Sequence, residues 1–133
     1  MRRKNQLATL EAQLVAWLRV ADDGDCRPSH RRIWLMQGTS RIFLRKAKRL
    51  IGNDFVNCLD IANVWLAERQ RGRGRFRSFV ALAINACPWE AIVIDQVQNE
   101  RLAQHFRREG WYEETDKGAP CFYFFKHPHA FNE

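Results

Sequence analysis

An arginine-rich segment with two glycines, residues 68–75 (ERQRGRGR), constrains the fold of this chain more than any other feature. The apolar run from Phe55 to Leu66 precedes it and is long enough for a central strand. After the segment, apolar side chains recur at helical spacing from Phe76 to Cys87, and Pro88 ends the pattern. The sequence therefore predicts a buried strand, a glycine-rich loop and a helix, in that order.

A loop of this kind is suited to binding an anion. It exposes unpaired backbone N–H groups at the positive end of the helix dipole, and Gly72 and Gly74 remove side chains that would block close approach. The arginines around it add mobile positive charge, so a diphosphate would be held by both geometry and field. The alternatives are an RNA-binding Arg-Gly tract or a solvated turn, but such tracts are longer and repetitive. The loop lacks the third glycine of a dinucleotide fingerprint and the Lys-Ser/Thr of a Walker loop, which indicates a different phosphorylated cofactor.

The flanking sequence predicts a mixed α/β fold. Amphipathic spacing predicts a first helix from Asn5 to Val20, with Glu11 facing water. Turn formers between short apolar runs predict a hairpin of Arg32–Met36 and Arg41–Arg45. Later elements are a strand at Ala91–Val97, a helix capped by Asn99 that runs to Glu109 and ends at Gly110, and a hairpin of Trp111–Glu114 and Cys121–Lys126. A chain of 133 residues has room for one core, so we expect a single domain over residues 1–133.

The basic charge lies in the first third of the chain. Residues 1–50 hold twelve Lys and Arg against four Asp and Glu, whereas residues 51–133 hold ten against eleven. Such charge attracts nucleic acid, a phosphorylated cofactor or an acidic protein, and charge alone does not rank them. No apolar run approaches the ~20 residues of a membrane helix. The cysteines lie about thirty residues apart, unlike a zinc ribbon or a disulfide framework. We expect a cytoplasmic protein with reduced thiols, no membrane partner and no metal site.

Two spaced motifs carry a family resemblance. Arg69, Gly72 and Gly74 follow a pattern of Arg or Gln, two residues, Gly, one residue, then Gly or Ala. A second pattern of Asn, a small or apolar residue, an aromatic, Gly and an aromatic is matched by Asn99, Leu102, Phe106, Gly110 and Trp111. In this order and spacing over residues 55–126, the motifs resemble the GNAT acetyltransferases. The resemblance implies a GNAT-like mixed sheet with splayed central parallel strands, a strand–glycine-rich loop–helix–strand–helix core, an N-terminal helix and a C-terminal hairpin.

The resemblance also implies acetyl-CoA as co-substrate and an amine as acceptor. The strand that ends near residues 64–66 would pair with the pantetheine arm and offer a backbone N–H to the thioester carbonyl, as an oxyanion-type donor. The amides of residues 70–75 would hold the pyrophosphate, and Asn99 would lie near the thioester. The implied cofactor-binding residues are Val64, Trp65, Leu66, Arg69, Gln70, Arg71, Gly72, Arg73, Gly74, Arg75, Asn99 and Phe106.

The acid and the base are less well defined by the sequence. Many members of the family have a tyrosine acid at the position of Phe106, so its hydroxyl is missing here. Tyr112, Tyr123 or a water is a substitute acid, or the thiolate leaves unassisted, which a thiol pKa of about 8.5 tolerates. Asp60, on the central strand, and Glu68, at its mouth, are the candidate bases. Each has a structural alternative, a hydrogen-bonded carboxylate for Asp60 and an arginine ion pair for Glu68.

Two function classes follow from these observations. The first is an acyl-CoA-dependent N-acyltransferase whose basic acceptor side favours an acidic acceptor or an amine carried by a polyanion, such as a protein on nucleic acid. The second is a non-catalytic nucleic-acid or protein binding module on a degenerate GNAT fold, for which the missing hydroxyl at Phe106 and the basic first third both argue. Salt dependence separates them, since binding dominated by phosphate contacts weakens steeply with salt.

Overall fold

The computed structural model describes residues 8–24, 26–67, 71–72, 74–115 and 118–127. Their elements follow the order that the sequence predicts. The helices are α1 (Leu10–Ala21), α2 (Arg75–Ala86) and α3 (Glu100–Arg108), with a short 3₁₀ turn at Pro28–Arg31. The strands are β1 (Arg32–Gln37), β2 (Ser40–Ile51), β3 (Asp54–Trp65), β4 (Ala91–Ile94), β5 (Tyr112–Glu114) and β6 (Cys121–Phe125).

The strands form one mixed sheet in the order β1-β2-β3-β4-β6-β5. Only the central pair, β3 and β4, is parallel among the described strands, and α2 is the crossover between them. The β1–β2 and β5–β6 hairpins flank this pair on either side. The mixed α/β fold predicted from the sequence, with a central parallel pair, an N-terminal helix and a C-terminal hairpin, is therefore confirmed.

The helices pack on one face of the sheet. Buried residues of α1, α2 and α3 belong to a single core cluster together with strand residues such as Leu59, Ile92 and Phe122. The second buried cluster contains strand residues only, among them Cys58 and Val93. Because neighbouring strand residues point to opposite faces, the described part of the sheet has one helix-covered face and one face formed by strand side chains alone. We call the latter the open face.

Helix α1 also covers the edge of the sheet. Thr9 caps the helix, and its Oγ1 accepts a hydrogen bond from the backbone N–H of Ala12 at 3.0 Å. The Gln13 amide donates to the carbonyl of Met36 at 2.7 Å and accepts from the N–H of Met36 at 3.1 Å. One side chain thus takes the place of a neighbouring strand along β1, which otherwise presents unpaired backbone groups at the sheet edge.

Three predicted boundaries are wrong, and each has a physical reason. Helix α1 begins at Leu10, because Thr9 has an extended backbone and caps the helix there, and the predicted start at Asn5 lies outside the described residues. Strand β2 continues to Ile51 instead of ending at Arg45, because pairing with β3 overrides the charged composition of residues 46–49. Strand β4 ends at Ile94 instead of Val97, since the N–H of Val97 bonds to Pro120 outside the strand ladder.

Candidate functional site

The parallel strands separate at the carboxyl end of β4. The ladder between β3 and β4 runs from the pair Cys58/Ala91 to the pair Ile61/Ile94, and one further bond joins the N–H of Asp95 to the carbonyl of Ile61 at 3.0 Å. On its other edge, β3 stays paired with β2 as far as Trp65. Residues 62–65 therefore have one strand edge that no other described strand pairs with, about 13 Å long at about 3.3 Å per residue. The splay is the central feature of the candidate site.

A β-bulge in β3 sets which side chains at the end of the strand face the helices and which lie on the open face of the sheet. The register shifts where Phe43 pairs with Asn63 and Leu44 with Ile61, so that Ala62 is the extra residue. The shift turns Val64 toward the helices, where it packs against the main core, and leaves Trp65 half-exposed on the open face. Of the residues predicted to bind the pantetheine arm, Val64 and Trp65 thus lie on the free strand edge, and Leu66 follows directly.

The glycine-rich loop has the backbone conformation that an anion site needs. Gly72 and Gly74 have φ values of +73° and +71°, in the left-handed region that favours glycine. Apart from the adjacent residues, no atom of the described residues lies within 4 Å of the position that a Cβ on Gly72 would take. Gly74 is the N-cap of α2 and supplies no side-chain cap, so the first amides of the helix keep their capacity for a ligand. Open space and available amides therefore coincide at Gly72 and Gly74.

The sequence predicts mobile arginines around the glycine-rich loop. This prediction is wrong for Arg71 and Arg75, the two of these arginines that the structure describes. Arg75 forms an ion pair with Glu11 of α1, and this contact also overturns the prediction that Glu11 faces water. The hydrogen bond to Arg75 lowers the pKa of Glu11 below its usual value. Arg71 donates to the carbonyl of Leu66 at 2.9 Å and stacks on Trp65, 4.4 Å from the ring centre. Each guanidinium makes fixed contacts instead of moving freely over the loop.

Four predicted site residues lie outside the described residues and are not placed here. They are Glu68, Arg69, Gln70 and Arg73.

Sequence reasoning missed a cation that the structure does place. The guanidinium of Arg77 lies 3.6 Å from the position of a Cβ on Gly74. A cation in the first turn of a helix opposes the helix dipole, so Arg77 is better placed for an anionic ligand than for helix stability.

The N-terminus of α3 follows the carboxyl end of β4 in the chain. Asn99 caps the helix, and its Oδ1 accepts a hydrogen bond from the N–H of Leu102 at 3.1 Å. The preceding turn contains Gln96, which has the only positive φ among the described non-glycine residues, at 44°. The predicted cap is confirmed, whereas the role of Asn99 toward a thioester stays a prediction.

Asp60 is fully buried and is held by two arginines across the neighbouring strand. Its Oδ2 accepts from Nε of Arg45 and from Nη2 of Arg49, both at 2.8 Å. Although burial lowers the pKa of Arg49, the bond to Asp60 outweighs it and the pKa is raised. Asp95 joins the same network, because its Oδ2 accepts from Nη2 of Arg49 at 3.0 Å. This geometry argues against Asp60 as a base, since Oδ2 is bound by two arginines and Oδ1, which has no hydrogen-bond partner among the described residues, is buried away from an incoming amine.

The aromatic candidates do not line the splay. Phe106 is 1% exposed and packs in the core, with its ring centre 4.6 Å from that of Trp111 and 5.4 Å from that of Phe122, so its prediction as a cofactor contact is corrected. Tyr112 lies on β5, three strand positions from β3, which is about 14 Å at about 4.8 Å per strand. Tyr123 is buried on β6, where its hydroxyl donates to Glu114 at 3.2 Å and burial raises its pKa. None of the three brings an acid to the splay.

Comparison with solved structures identifies proteins of similar fold. No protein-family model matches the sequence, and no curated protein matches it significantly. The fold is similar to a point mutant of the AtaT toxin bound to the C-terminus of the antitoxin AtaR, with a TM-score of 0.52 and 14% identity over 65% of this chain and 58% of that chain. The same complex with acetyl-CoA gives a TM-score of 0.51 at 14% identity, again over 65% and 58%. The KacTA–DNA complex gives 0.50 at 10% identity, over 71% of this chain and 65% of that chain.

At these identities the likeness shows the fold alone. The chain spans less than two thirds of the length of the chains it resembles. No described helix is long and apolar enough to cross a membrane. No group of three His, Cys, Asp or Glu side chains among residues 8–24, 26–67, 71–72, 74–115 and 118–127 is arranged to hold a metal ion.

Proposed function

We propose that this protein is an acyl-CoA-dependent N-acyltransferase that passes acetyl from acetyl-CoA directly to an amine. The observation that carries the proposal is the splay of β3 from β4 beside a loop with two left-handed glycines at the start of α2. A free strand edge can form hydrogen bonds with the amides of a pantetheine arm. A helix N-terminus can bind the diphosphate of the same ligand. The likeness to an acetyl-CoA complex of AtaT supports the same reading.

The described residues fit the parts of acetyl-CoA in order along the cleft. The edge of residues 62–65 offers backbone N–H and C=O groups to the pantetheine arm, and the backbone next to Leu66 continues it. The open space at Gly72 and the first amides of α2 receive the diphosphate, with Arg77 as the nearby cation. When bound, acetyl-CoA supplies an activated thioester.

The chain's own residues then have to take a proton from the amine and allow the thiolate to leave. With Asp60 engaged by two arginines, Glu68 stays our candidate base because it follows the free strand edge in sequence. No acid is assigned, and a thiol pKa of about 8.5 lets the thiolate leave unassisted. Glu68→Gln is expected to slow acetyl transfer at neutral pH without weakening acetyl-CoA binding, and weaker binding would remove Glu68 from this role.

The side of the sheet where we expect the acceptor to bind is basic, and this charge sets the class of acceptor that we propose. Residues 1–50 include β1 and most of β2, which flank β3 on the side away from β4. Exposed arginines on these strands favour an acidic acceptor or an amine carried by a polyanion. An acceptor screen tests this, and turnover that is best with small cationic amines would overturn it.

Thermal denaturation with acetyl-CoA, CoA and ADP tests the cofactor site. A ligand that binds only the native state raises the midpoint by mass action. We expect a rise for the wild type that Gly72→Glu abolishes, because that side chain fills the open space at the loop. The matched control is Gly110→Glu, which has a φ of +83° and open space but lies past the far end of α3. A rise that survives in Gly72→Glu, or no rise at several millimolar ligand, would contradict the site.

A second candidate function is a non-catalytic nucleic-acid or protein binding module on the same fold. The specific observation in its favour is that Phe106 lies in the core and Asp60 in an ion-pair network, so neither offers proton transfer at the splay. If acetyl-CoA binds but no acetyl is transferred to any class of amine, this function replaces the first.

A further inference from the structure

The open face of the sheet carries exposed aromatic and arginine side chains over β1, β2 and the end of β3. Register pairs place Trp34 beside Phe43, and Arg41 beside Trp65, on this face. The β-bulge at Ala62 is what turns the last residues of β3 outward here. We call Trp34, Arg41, Phe43, Trp65 and Arg71 the aromatic–arginine surface. It borders the free edge of β3 and shares the backbone of Trp65 with that edge, while its tryptophan side chains lie on the open face.

The members of this surface contact one another. The ring centres of Trp34 and Phe43 are 4.9 Å apart, and the guanidinium of Arg41 lies 6.0 Å from the ring centre of Trp34. The guanidinium of Arg71 lies 4.4 Å from the ring centre of Trp65. Trp34 is nevertheless 47% exposed and Trp65 50% exposed. These contacts hold the two rings in place, while about half of each tryptophan stays exposed to solvent.

The charged members of the aromatic–arginine surface, Arg41 and Arg71, are both positive. Neither Arg41 nor Arg71 forms an ion pair with a described carboxylate, in contrast to Arg45 and Arg49 on the same sheet. Both guanidiniums therefore keep their full charge for a partner, and each already lies beside an aromatic ring. A partner that suits this surface has flat groups to stack and negative charges spaced between them.

We propose that the aromatic–arginine surface binds single-stranded nucleic acid, with bases stacked on Trp34 and Trp65 and phosphates paired with Arg41 and Arg71. Alternation of stacking rings and cations is the means by which proteins bind unpaired strands without reading their sequence. A second copy of the chain is disfavoured, because pairing this surface with itself would bring arginine against arginine. The proposal goes beyond acetyl transfer and does not depend on it.

Fluorescence anisotropy with a labelled single-stranded oligouridine of about twelve nucleotides, without acetyl-CoA, tests this site. We expect binding that quenches tryptophan emission and weakens about sevenfold between ~50 and ~200 mM salt, as two phosphate contacts require. Arg41→Gln is expected to halve that salt dependence. Arg108→Gln, an exposed arginine on α3 that forms no ion pair among the described residues, is the matched control and should leave it unchanged.

Two variants of Trp34 separate stacking from size. Trp34→Leu should weaken binding about tenfold, because one base loses the aromatic ring on which it stacks. Trp34→Phe should restore most of that loss, since it keeps a flat aromatic face. Phe55→Ala removes a 66% exposed aromatic at the opposite end of β3 and should bind as the wild type does. Melting curves that match the wild type establish that each variant is folded.

Three results would overturn the proposal. The first is equal binding by Trp34→Leu and the wild type. The second is equal affinity for the single strand and for a duplex of the same length, because a duplex hides the base faces and would be bound by charge alone. The third is preferential binding of a polyglutamate peptide, which would assign the surface to an acidic protein.

Discussion

Replacement of the buried carboxylate of Asp60 should destabilise the protein substantially. The side chain is 0% exposed, and its Oδ2 accepts hydrogen bonds from the guanidiniums of both Arg45 and Arg49. Asp60→Asn keeps the shape but removes the charge, so two cations lose their buried partner. Breaking a buried ion pair by removal of one partner costs about 3–5 kcal/mol.

The low end of that range applies here. Arg45 is 46% exposed and Arg49 25% exposed, so water can solvate both guanidiniums after the substitution. Arg49 also retains its contact with Asp95 at 3.0 Å. We therefore expect a loss of about 3 kcal/mol in the free energy of unfolding, or about 10 °C in Tm for a chain of this size.

Urea unfolding and calorimetry at neutral pH measure this loss. The matched control is Glu113→Gln, which removes a carboxylate from an exposed ion pair with Arg107 and should unfold as the wild type does. Acetyl-CoA binding by folded Asp60→Asn should be close to that of the wild type. If Asp60→Asn keeps its stability but loses acetyl transfer, the structural role is wrong and Asp60 is the base.

Three further predictions concern α1 and a thiol. The pKa of Glu11 is lowered by Arg75, so part of the stability of the wild type should be lost as pH falls below about 4.5 and through that pKa, and Glu11→Gln should lose less than the wild type; urea unfolding at pH 7 and pH 3 compares the two losses. Gln13→Ala frees two backbone groups of Met36 at the sheet edge and should cost about 1–2 kcal/mol in urea unfolding. Burial and a hydrogen bond to Asp95 raise the pKa of Cys121 to about 11, so iodoacetamide at pH 8 should label it far more slowly in folded than in unfolded protein, as measured by mass spectrometry of its peptide.

Local sequence patterns predicted the order of the elements and the loop. Apolar periodicity marked α2 and β3, the capping side chain marked the start of α3 at Asn99, and the two glycines marked the turn at residues 72–74. These signals act over a few residues and need no knowledge of the remaining fold. The parallel pair of β3 and β4 was expected from the family resemblance of the two motifs and not from these local patterns.

Features that depend on contacts between distant residues were not predictable in this way. The full length of β2 comes from pairing with β3, and the role of Asp60 comes from Arg45 and Arg49 on that neighbouring strand. The distance of Tyr112 from the splay follows from the position of β5 at the sheet edge. Arg45 and Arg49 are four residues apart, so in an extended strand both side chains point to the same face. This spacing was the one sequence signal that could have indicated partners for Asp60.

Hydrogen exchange with and without acetyl-CoA tests the cleft most directly. Amides of residues 62–66 and of the start of α2 should exchange more slowly with acetyl-CoA, because the ligand would bond to the free edge of β3 and to the uncapped helix N-terminus. Amides of β5 should not change. Protection of β5, with none at residues 62–66, would contradict the account of the splay as the acetyl-CoA site.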